Sequence, residues 1–426
     1  MDKVIIVECI STSMHYVHDL RERGLEPVIL ETYNDDGGKE EARRQANYAH
    51  MEKPLPRRIQ ALSNYEDTLE LVKSENPILV LPGSEMSVEL ATSLAYDLGL
   101  KSNDKKNLPQ MTRKSEMHEA CKRAGLRYIR GKMVENAEEA LAFWESIGKK
   151  DVVIKPTHSA GAVSVHICDT EDQIINGINN IVGKLDMFGE SNDKALIQER
   201  INGTEYVVNT ISCEGESYVS AVYKYKKRPI PGGSMLYDIN ENLMENEITP
   251  EVKEIMEYAL DVVKAIGIDY GPVHGEYMLD EEGPVLMEIN CRICGGDMTM
   301  PFLDTMFGHH ETDRSLEAYF DPEKFKQRVA EGYKTTGKGY FKLLRVLEDI
   351  DIADAPICRI AESLPSFISY VGIEPNKKLH LPKTVDLYTN GGKFSFASHD
   401  PDVAKRDCDE IDRIEREEYD SMWTLA

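Results

Sequence analysis

The pattern of apolar and polar positions in the first hundred residues alternates between short apolar runs and amphipathic stretches. Three apolar runs have the length and the β-branched content of buried strands: KVIIVE (3–8), PVILET (27–32) and PILVLPG (77–83). Apolar positions recur with helical spacing in three further stretches, residues 14–24, 64–74 and 85–100. Strands that alternate with helices predict a parallel α/β sheet. The turn ECISTSMHY after the first strand lacks the G-x-G-x-x-G pattern, so we do not expect the usual dinucleotide-binding fold.

The pattern changes after a predicted helix at residues 112–126. Mostly alternating runs, typical of strands, follow it: DVVIKP (151–156), AVSVHIC (162–168), ALIQER (195–200), EYVVNTISC (205–213), SYVSAVYKYK (217–226), GEYMLD (275–280) and PVLMEIN (284–290). Helices predicted near 137–147, 171–183 and 250–266 separate some of them. We therefore expect an α+β region built on antiparallel strands. The last segment, 335–426, mixes short strands with a helix in PDVAKRDCDEIDRIEREEY.

Length and composition are those of an ordinary globular protein. The chain has 426 residues, enough for two or three domains, with 41% hydrophobic and 29% charged residues. No apolar run approaches the roughly 18–20 residues that span a bilayer. The beginning of the chain, MDKVIIVECI, lacks the basic flank of a signal peptide. We therefore expect a cytoplasmic protein with no membrane partner.

The chain is strongly acidic, with 50 basic and 75 acidic residues and a net charge of −25. This charge would repel a nucleic-acid backbone, so we expect no nucleic-acid partner. An anionic substrate such as a nucleotide would need a local basic pocket or bound cations. The one basic cluster in the sequence is Lys224, Lys226, Lys227 and Arg228. It is interpreted either as a flap over an anionic substrate or as a solvated hairpin tip.

The cysteines do not predict a disulfide framework. The chain has eight cysteines, scattered along its length, and only Cys291 and Cys294 form a C-x-x-C. A zinc site or a redox pair is one interpretation of this motif, but no second C-x-x-C or nearby histidine pair completes a tetrahedral site. The favoured interpretation is that the two cysteines are small residues lining a buried turn.

Oxygen donors cluster at the end of one predicted hairpin, GEYMLDEEGPVLMEIN. The DEEG segment supplies the turn, and Gly283 tolerates a positive φ there. Alternation places Glu276 on one strand, and Glu288 and Asn290 on one face of the other. Two carboxylates and an amide oxygen suit Mg²⁺, and Arg292 can bind a phosphate or carboxylate through its planar guanidinium. An edge strand with a solvated polar face is the alternative interpretation.

Polar residues also follow three other predicted strands. VVIKPTHSAGAVSV places Lys155 at a strand end before a Ser/Gly loop, where a lysine and loop N–H groups can hold a phosphate. ALIQERINGTEYVV joins a strand through a short link to Glu205, and this combination suits an adenine edge and a ribose. LPGSE places Glu85 at a strand's carboxyl end, a position suited to ligand binding or to stabilising a helix N-terminus. An ordinary hairpin turn with an exposed lysine is the alternative for the first segment.

The order of these segments, preceded by the helix TRKSEMHEACKRAGL, resembles the ATP-grasp superfamily over roughly residues 1–310. PVHGEYML and MEINCRICGG are most similar to the L-amino-acid ligases, the branch that includes dapdiamide-type synthetases of dipeptide antibiotics. The resemblance implies an N-terminal parallel α/β domain, a central lid-like subdomain and a mostly antiparallel C-terminal catalytic region. The expected units are an α/β domain, the lid, the catalytic subdomain and a small α+β subdomain, with the boundaries 1–110, 111–205, 206–334 and 335–426.

The resemblance also implies roles for individual residues. ATP would contact Lys114, Lys155, Ser159 and Gly161 through its phosphates, the main chain of Glu199 and Ile201 through its adenine, and Glu205 through its ribose. Glu276, Glu288 and Asn290 would hold two Mg²⁺ ions, with Mn²⁺ as the alternative metal. Arg292 and Lys155 would be catalytic. The amino-acid pocket would be formed by Glu85, His274, Arg292, Gly295 and Gly296.

The activity implied by the resemblance is ATP-dependent ligation of a carboxylate to an amine through an acyl phosphate, with release of ADP and phosphate. The partners would be a small-molecule carboxylate and an amino acid, and a homodimer is a family-level expectation. Two departures from the family pattern stand out: the loop THSAGAVS has one glycine, and Gly296 leaves room for a larger substrate. The alternatives are another ATP-grasp ligase, of the purine-pathway or carboxylase type, and a non-catalytic ATP-binding regulatory protein.

Overall fold

The structure is a computed structural model that describes residues 1–32, 39–156, 164–185, 191–229, 235–387 and 389–426. The described residues form a four-stranded parallel sheet, a four-stranded antiparallel sheet, a large eight-stranded antiparallel sheet and a three-stranded antiparallel sheet, together with helices. The predicted combination of α/β and α+β architecture is confirmed. Within the described ranges, none of the helices has the length and apolar character needed to cross a membrane.

The N-terminal part is a parallel sheet with strand order β3-β2-β1-β4. Its elements are β1 (Lys3–Val7), α1 (His15–Glu22), β2 (Glu26–Glu31), α2 (Lys39–His50), β3 (Arg57–Gln60), α3 (Tyr65–Ser74), β4 (Pro77–Pro82) and α4 (Val88–Asp97). The prediction of a parallel sheet is confirmed. Strand β3 was not predicted because RRIQ carries a single apolar residue, and it lies at the sheet edge with mostly exposed side chains.

The next part is a four-stranded antiparallel sheet with strand order β5-β8-β6-β7. It follows two helices, and the elements are α5 (Leu108–Thr112), α6 (Lys114–Arg123), β5 (Gly131–Val134), α7 (Ala137–Ser146), β6 (Val152–Pro156), β7 (His166–Cys168), α8 (Glu171–Asn179) and β8 (Ala195–Glu199). The single helix predicted at 112–126 is wrong in one respect. Extended backbone at Arg113 separates α5 from α6, so Lys114 begins its own helix.

The large sheet begins with long antiparallel strands and one amphipathic helix. Its first elements are β9 (Thr204–Cys213), β10 (Glu216–Pro229), β11 (Met235–Asn242), α9 (Pro250–Ile266), β12 (Gly271–Asp280), β13 (Gly283–Asn290), α10 (Met300–Phe307), α11 (Glu311–Phe320), α12 (Pro322–Glu331) and β14 (Lys338–Leu343). Helix α9 buries its apolar side chains, including Ile255, Val262 and Ile266, against β9, β12 and β13. This packing fixes the hairpin that carries the predicted metal donors.

The C-terminal segment continues the same sheet. Its elements are β15 (Ile350–Asp354), α13 (Pro356–Glu362), β16 (Phe367–Val371), β17 (Leu379–Leu381), β18 (Lys393–Ser398), α14 (Pro401–Glu417) and β19 (Thr424–Leu425). The large sheet has the order β13-β12-β9-β10-β11-β14-β18-β16, and β17-β15-β19 form a separate small sheet. Hydrogen-bonded strands therefore run across the predicted boundary near residue 334, and the predicted domain boundaries stay predictions.

A buried charge cluster, consisting of Arg228, Asp238, Lys342, Asp412 and Glu415, attaches α14 to the large sheet. The ammonium of Lys342 is fully buried and lies 2.5 Å from Asp238, 3.0 Å from Asp412 and 2.6 Å from Glu415. Arg228 contacts the same three carboxylates. Although the three carboxylates are close enough to hold a metal ion, the two cations already neutralise most of their charge. We therefore interpret the cluster as structural.

Candidate active site

A cavity of about 1090 Å³ lies where the parallel sheet, the sheet of strands β5 to β8 and the large sheet meet. It is bordered by the loops after β1 and β4, the first residue of α6, strands β6 and β8, and the hairpin β12–β13. Residues of the C-terminal segment complete its wall. Pockets for a single small ligand usually measure roughly 300–1,000 Å³. The volume therefore suits a nucleotide together with other substrates.

The structure brings the described site residues that the sequence predicted to this one cavity. Its lining includes Glu85, Lys114, Lys155, Glu199, Ile201, Glu205, His274, Glu276, Glu288, Asn290, Arg292, Gly295 and Gly296. Ser159 and Gly161, predicted to contact phosphates, lie outside the described residues. The convergence has a topological cause, because the carboxyl ends of β4, β6, β8 and β13 all point toward the meeting place of the sheets.

The predicted metal donors lie on the hairpin β12–β13. Glu276 and Glu288 are direct cross-strand partners, and Asn290 follows two residues later on β13, opposite His274. Residues two apart on a strand share a face, so Glu288 and Asn290 both point into the cavity. Gly283 has a φ of 102°, a conformation that glycine adopts without a steric penalty, at the tight turn of the hairpin.

This donor set fits a divalent cation. Two carboxylates and an amide oxygen are hard ligands of the kind Mg²⁺ prefers. In the structure the ammonium of Lys114 lies 2.5 Å from Oε2 of Glu288. The amide of Asn290 lies 3.0 Å from Oε2 of Glu85 and donates to it when its nitrogen faces that carboxylate. Burial alone would raise the pKa of Glu288, but Lys114 and Lys155 outweigh burial and lower the pKa to about 2, so this donor is ionised at neutral pH.

Two lysines, Lys114 at the start of α6 and Lys155 on β6, supply positive charge beside these donors. Burial and the neighbouring ammonium of Lys114 lower the pKa of Lys155 to about 8. Burial also opposes the charge of Lys114, but Glu288 and Glu85 outweigh it and raise the pKa of this lysine. The ammonium groups of Lys114 and Lys155 repel each other, and a polyanionic ligand between them would relieve the repulsion.

Another part of the cavity lining is apolar and includes the predicted nucleoside-binding residues. Its apolar residues are Ile129, Val153, Ile167, Met278 and Met287. The link between β8 and β9 borders it, and the side chain of Glu199 is held by Arg130 at 2.6 Å. Oε2 of Glu205 lies 2.5 Å from the ammonium of Lys227, while Oε1 is buried and has no hydrogen-bond partner among the described residues. A carboxylate oxygen in that state is suited to accept a hydrogen bond from a ligand hydroxyl.

The remaining predicted residues lie around Arg292. Its guanidinium is 3.3 Å from Oε2 of Glu85 and donates to the carbonyl of Ile293 at 2.9 Å. A Cβ built on Gly295 would meet nothing within 4 Å, and one on Gly296 would first meet Phe341 at 4.0 Å. The two glycines therefore leave open space beside the guanidinium.

The sequence left two interpretations of the basic cluster at 224–228 open. In the structure its four residues have different surroundings. Lys227 lines the cavity and lies 4.5 Å from the ring centre of Tyr237. Arg228 points away into the buried charge cluster, and Lys224 and Lys226 are exposed. A register shift between Lys226 and Lys227 interrupts the alternation, so periodicity alone could not tell which of these side chains faces inward.

The structure agrees with the favoured interpretation of the cysteine pair, that both are buried small residues. Cys291 and Cys294 are buried and unbridged. Their thiols donate to the main-chain carbonyls of Met111 and Gly295. The grouping of metal-binding side chains found in the described part of the chain, within the buried charge cluster, includes neither cysteine.

Comparisons with known proteins agree with this geometry. Residues 112–298 match the family described as phosphoribosylglycinamide synthetase, ATP-grasp (A) domain. Dapdiamide A synthase of Enterobacter agglomerans is 27% identical over 363 residues, which cover 84% of this chain and 83% of that protein. A phosphoribosylamine–glycine ligase of Methanococcus vannielii is 26% identical over 270 residues, covering 56% of this chain and 60% of that protein.

The fold is also that of solved ligases. The crystal structure of an L-amino acid ligase from Bacillus licheniformis superposes with a TM-score of 0.74 at 15% sequence identity, covering 100% of this chain and 98% of that one. The sheet arrangement, the cavity and these similarities confirm the resemblance to the ATP-grasp superfamily that the sequence indicated, and the match to the ATP-grasp domain covers residues 112–298.

Proposed function

We propose that the protein is an ATP-dependent carboxylate–amine ligase that joins an amino acid or acyl-amino acid to an amino acid and releases ADP and phosphate. The observation that carries the proposal is the grouping of Lys114, Lys155, Glu276, Glu288 and Arg292 in one cavity. Phosphate-binding cations, metal-binding carboxylates and a separate guanidinium are what acyl-phosphate chemistry needs. The similarity to dapdiamide A synthase supports an amide or dipeptide product.

The chemistry explains why such a site needs so many charges. A carboxylate and an amine do not react in water, because the carboxylate is electron-rich and oxide is a poor leaving group. In the first step a carboxylate oxygen attacks the terminal phosphorus of ATP and ADP leaves. In the second step the neutral amine attacks the acyl carbon, phosphate leaves and the amine loses a proton. Both steps bring anions together, so positioning and charge neutralisation dominate catalysis.

The residues of the nucleotide end have distinct proposed roles. The apolar wall and the main chain near Glu199 and Ile201 hold the adenine, and Glu205 accepts from the ribose. Lys114 and Lys155 present ammonium groups to phosphate oxygens. Glu276, Glu288 and Asn290 would hold Mg²⁺, and the ion would supply positive charge that neutralises the phosphates. The number of ions, and Mg²⁺ rather than Mn²⁺, stay predictions.

Arg292 has the proposed role that most directly concerns the transferred group. Its planar guanidinium can donate two parallel hydrogen bonds to the phosphate of the acyl phosphate and then to the oxyanion formed by the attacking amine. Glu85, 3.3 Å away, is suited to the ammonium of the activated amino acid. The open space at Gly295 and Gly296 would take its side chain.

A coupled ADP-release assay over pairs of amino acids and acyl-amino acids, with mass analysis of the products, tests the proposal. We expect ADP formation that requires both substrates, with a product mass equal to their sum less water. Arg292→Ala should lower turnover by at least about a hundredfold, because one preorganised donor to an oxyanion contributes on that scale. If the variant loses melting temperature and turnover in parallel, Arg292 is structural and its proposed role is wrong.

A second candidate function is ligation of glycine to a phosphoribosylamine. It is favoured by the match of residues 112–298 to the synthetase family and by the Methanococcus vannielii relative. Adding phosphoribosylamine with glycine, and separately bicarbonate, to the same assay distinguishes the purine-type and carboxylase-type alternatives. ATP binding without ADP release under all these conditions would favour a regulatory protein. Cytoplasmic location and a homodimer stay predictions.

A further inference from the structure

One ion pair on the cavity wall involves two residues for which the sequence predicted no role. The ammonium of Lys393 lies 3.1 Å from Oδ2 of Asp297, and both residues line the same cavity as Arg292. Lys393 is the first residue of β18 in the C-terminal segment. Asp297 directly follows the glycine pair that borders Arg292. The pair therefore adjoins the proposed substrate space.

The backbone on both sides of this pair is held firmly. Lys393 is paired with Leu343 of β14 and with Val371 of β16, so its strand is hydrogen-bonded on both edges. The main-chain N–H of Asp297 donates to Oγ of Ser11 at 3.0 Å, and Asp297 has a φ of 61°, uncommon for a residue other than glycine. Three distant parts of the chain thus meet at this ion pair. A side chain held in this way is preorganised for binding.

The other cations on the cavity wall have different neighbours. In the described part of the lining, the ion-paired cations other than Lys393 are Lys114 with Glu288, Arg200 with Asp151, Lys227 with Glu205, Arg292 with Glu85, and His274 with Glu276, while Lys155 lies beside Lys114. Most of these belong to the nucleotide and metal end. Lys393 instead belongs to the C-terminal segment, where it is paired with the apolar Leu343 of the same lining; its side chain is 16% exposed and that of Asp297 is 36% exposed. A cation that is largely shielded from water binds a carboxylate more strongly than one in water does.

The substrates of the proposed reaction differ in what happens to their carboxylates. The carboxylate of the activated amino acid becomes the acyl phosphate, beside Arg292. The amino acid that supplies the amine keeps its carboxylate throughout the reaction. Inside the cavity that carboxylate loses part of its hydration and needs a cation to compensate.

We propose that Lys393 binds the free carboxylate of the amino acid that supplies the amine, and that Asp297 holds the Lys393 ammonium in position when this substrate is absent. The inference rests on the proposed ligase function. It gives the segment after residue 334 a direct part in choosing the substrate. The ligand class is an amino acid with an unmodified α-carboxylate.

The test compares each amine substrate with its own carboxamide, which keeps the amine and removes the negative charge. KM and kcat are measured by ADP release at saturating ATP and first substrate, for the wild type, Lys393→Met and Lys393→Arg. We expect Lys393→Met to raise KM for the amino acid about tenfold or more, the scale of a hydrogen bond between charged groups, and to change KM for the amide little. Lys393→Arg should restore most of the affinity because it keeps the cation.

Two further variants separate binding from a structural role. Lys377→Met removes a lysine from an exposed pair with Glu374 in the same segment and should leave both KM values unchanged. Asp297→Asn breaks the same ion pair but keeps Lys393, so we expect KM for the amino acid to fall, because the substrate no longer competes with Asp297. If Asp297→Asn and Lys393→Met raise KM alike, the pair is structural and the inference is wrong.

The results also separate this inference from the function on which it rests. If the wild type forms ADP with the acid and the amide equally well, the ligase function stands and the role of Lys393 is overturned. If the wild type forms no ADP with any pair of amino acids, the ligase proposal itself fails and the inference fails with it. A wild-type preference for the acid that disappears in Lys393→Met supports both.

Discussion

Replacing Glu288 by glutamine tests both the metal site and the electrostatics of the cavity. The change keeps the side-chain shape and removes the charge that lies 2.5 Å from Lys114. The shift of the Glu288 pKa from 4.5 to about 2 corresponds to roughly 3 kcal/mol in favour of the ionised form. The side chains of Lys114 and Glu288 are 13% and 21% exposed, so solvent screens part of this energy. We expect a loss of about 2 kcal/mol in the free energy of unfolding without nucleotide.

The effect on activity should be much larger than the effect on stability. Turnover should fall at least about a hundredfold, because a ligand of the proposed metal is lost. The assays are urea unfolding without Mg²⁺, ADP release, and the thermal shift produced by MgATP compared with ATP in EDTA. Glu70→Gln, which removes a carboxylate from an exposed pair with Lys73, is the matched control and should change none of these quantities.

The pH dependence of the stability difference has a definite sign. Glu288 has a folded-state pKa below its ordinary value, so its stabilising contribution is complete above about pH 4.5 and is lost as pH falls toward 2. The stability gap between the wild type and Glu288→Gln should therefore be constant above about pH 5 and narrow as the pH falls from about 4.5 toward 3. Turnover within tenfold of the wild type, or an unchanged MgATP-dependent thermal shift, would refute the metal assignment.

Other regions of the molecule yield further predictions. The pKa of Lys155 is lowered to about 8, and a bound phosphate would raise it again. Calorimetry should therefore show proton uptake on ATP binding above pH 8, and the affinity for ATP should fall as the pH rises further. Lys155→Met should lose this pH dependence of ATP affinity. Glu205→Gln should lose most of the wild type's preference for ATP over 2′-deoxy-ATP, about tenfold in Kd, because the unpaired oxygen of Glu205 would accept from a ribose hydroxyl. Lys342→Met should cost about 3–5 kcal/mol in urea unfolding, because three carboxylates of the buried charge cluster lose their fully buried partner. Gly295→Leu should fold normally but raise KM for large first substrates, because its side chain would enter open space.

Each of these predictions has a result that contradicts it. ATP affinity independent of pH between 7 and 9.5 would show that Lys155 does not contact phosphate. Equal affinity of the wild type for ATP and 2′-deoxy-ATP would show that Glu205 does not bind the ribose hydroxyl. Lys377→Met is the control for Lys342→Met, and equal losses from the two variants would mean that the cluster contributes little. An unfolded Gly295→Leu protein would show that the space beside it is needed for packing.

Much of the fold followed from short-range pattern. Alternation and helical spacing predicted β1, β2, β4 and the long strands of the large sheet, because burial on one face imposes a period that the sequence carries locally. The helices α10, α11 and α12 were not predicted. They are eight to ten residues long, and α1 and α8, which were predicted, have eight and nine residues, so length alone does not account for the difference.

The candidate site was predictable to the extent that its residues belong to recognisable local segments. Glu276, Glu288 and Asn290 lie on one hairpin, so alternation alone placed them together. Lys393 and Asp297 were missed because each is an isolated charged residue in the sequence. Their 3.1 Å contact joins positions 96 residues apart. The periodicity of a single helix or strand cannot predict a contact between such distant positions.

The sequence by itself determined which chemistry is available: the oxygen donors of the hairpin, the lysine at the end of β6 and the arginine after β13. Only the tertiary structure decided which charges share a space. It paired Arg292 with Glu85 across 207 residues, turned Lys227 toward the cavity and Arg228 away from it, and added Lys393 from the C-terminal segment. The physical reason is that periodicity records the burial of one element, whereas a site of opposite charges depends on how separate sheets pack against each other.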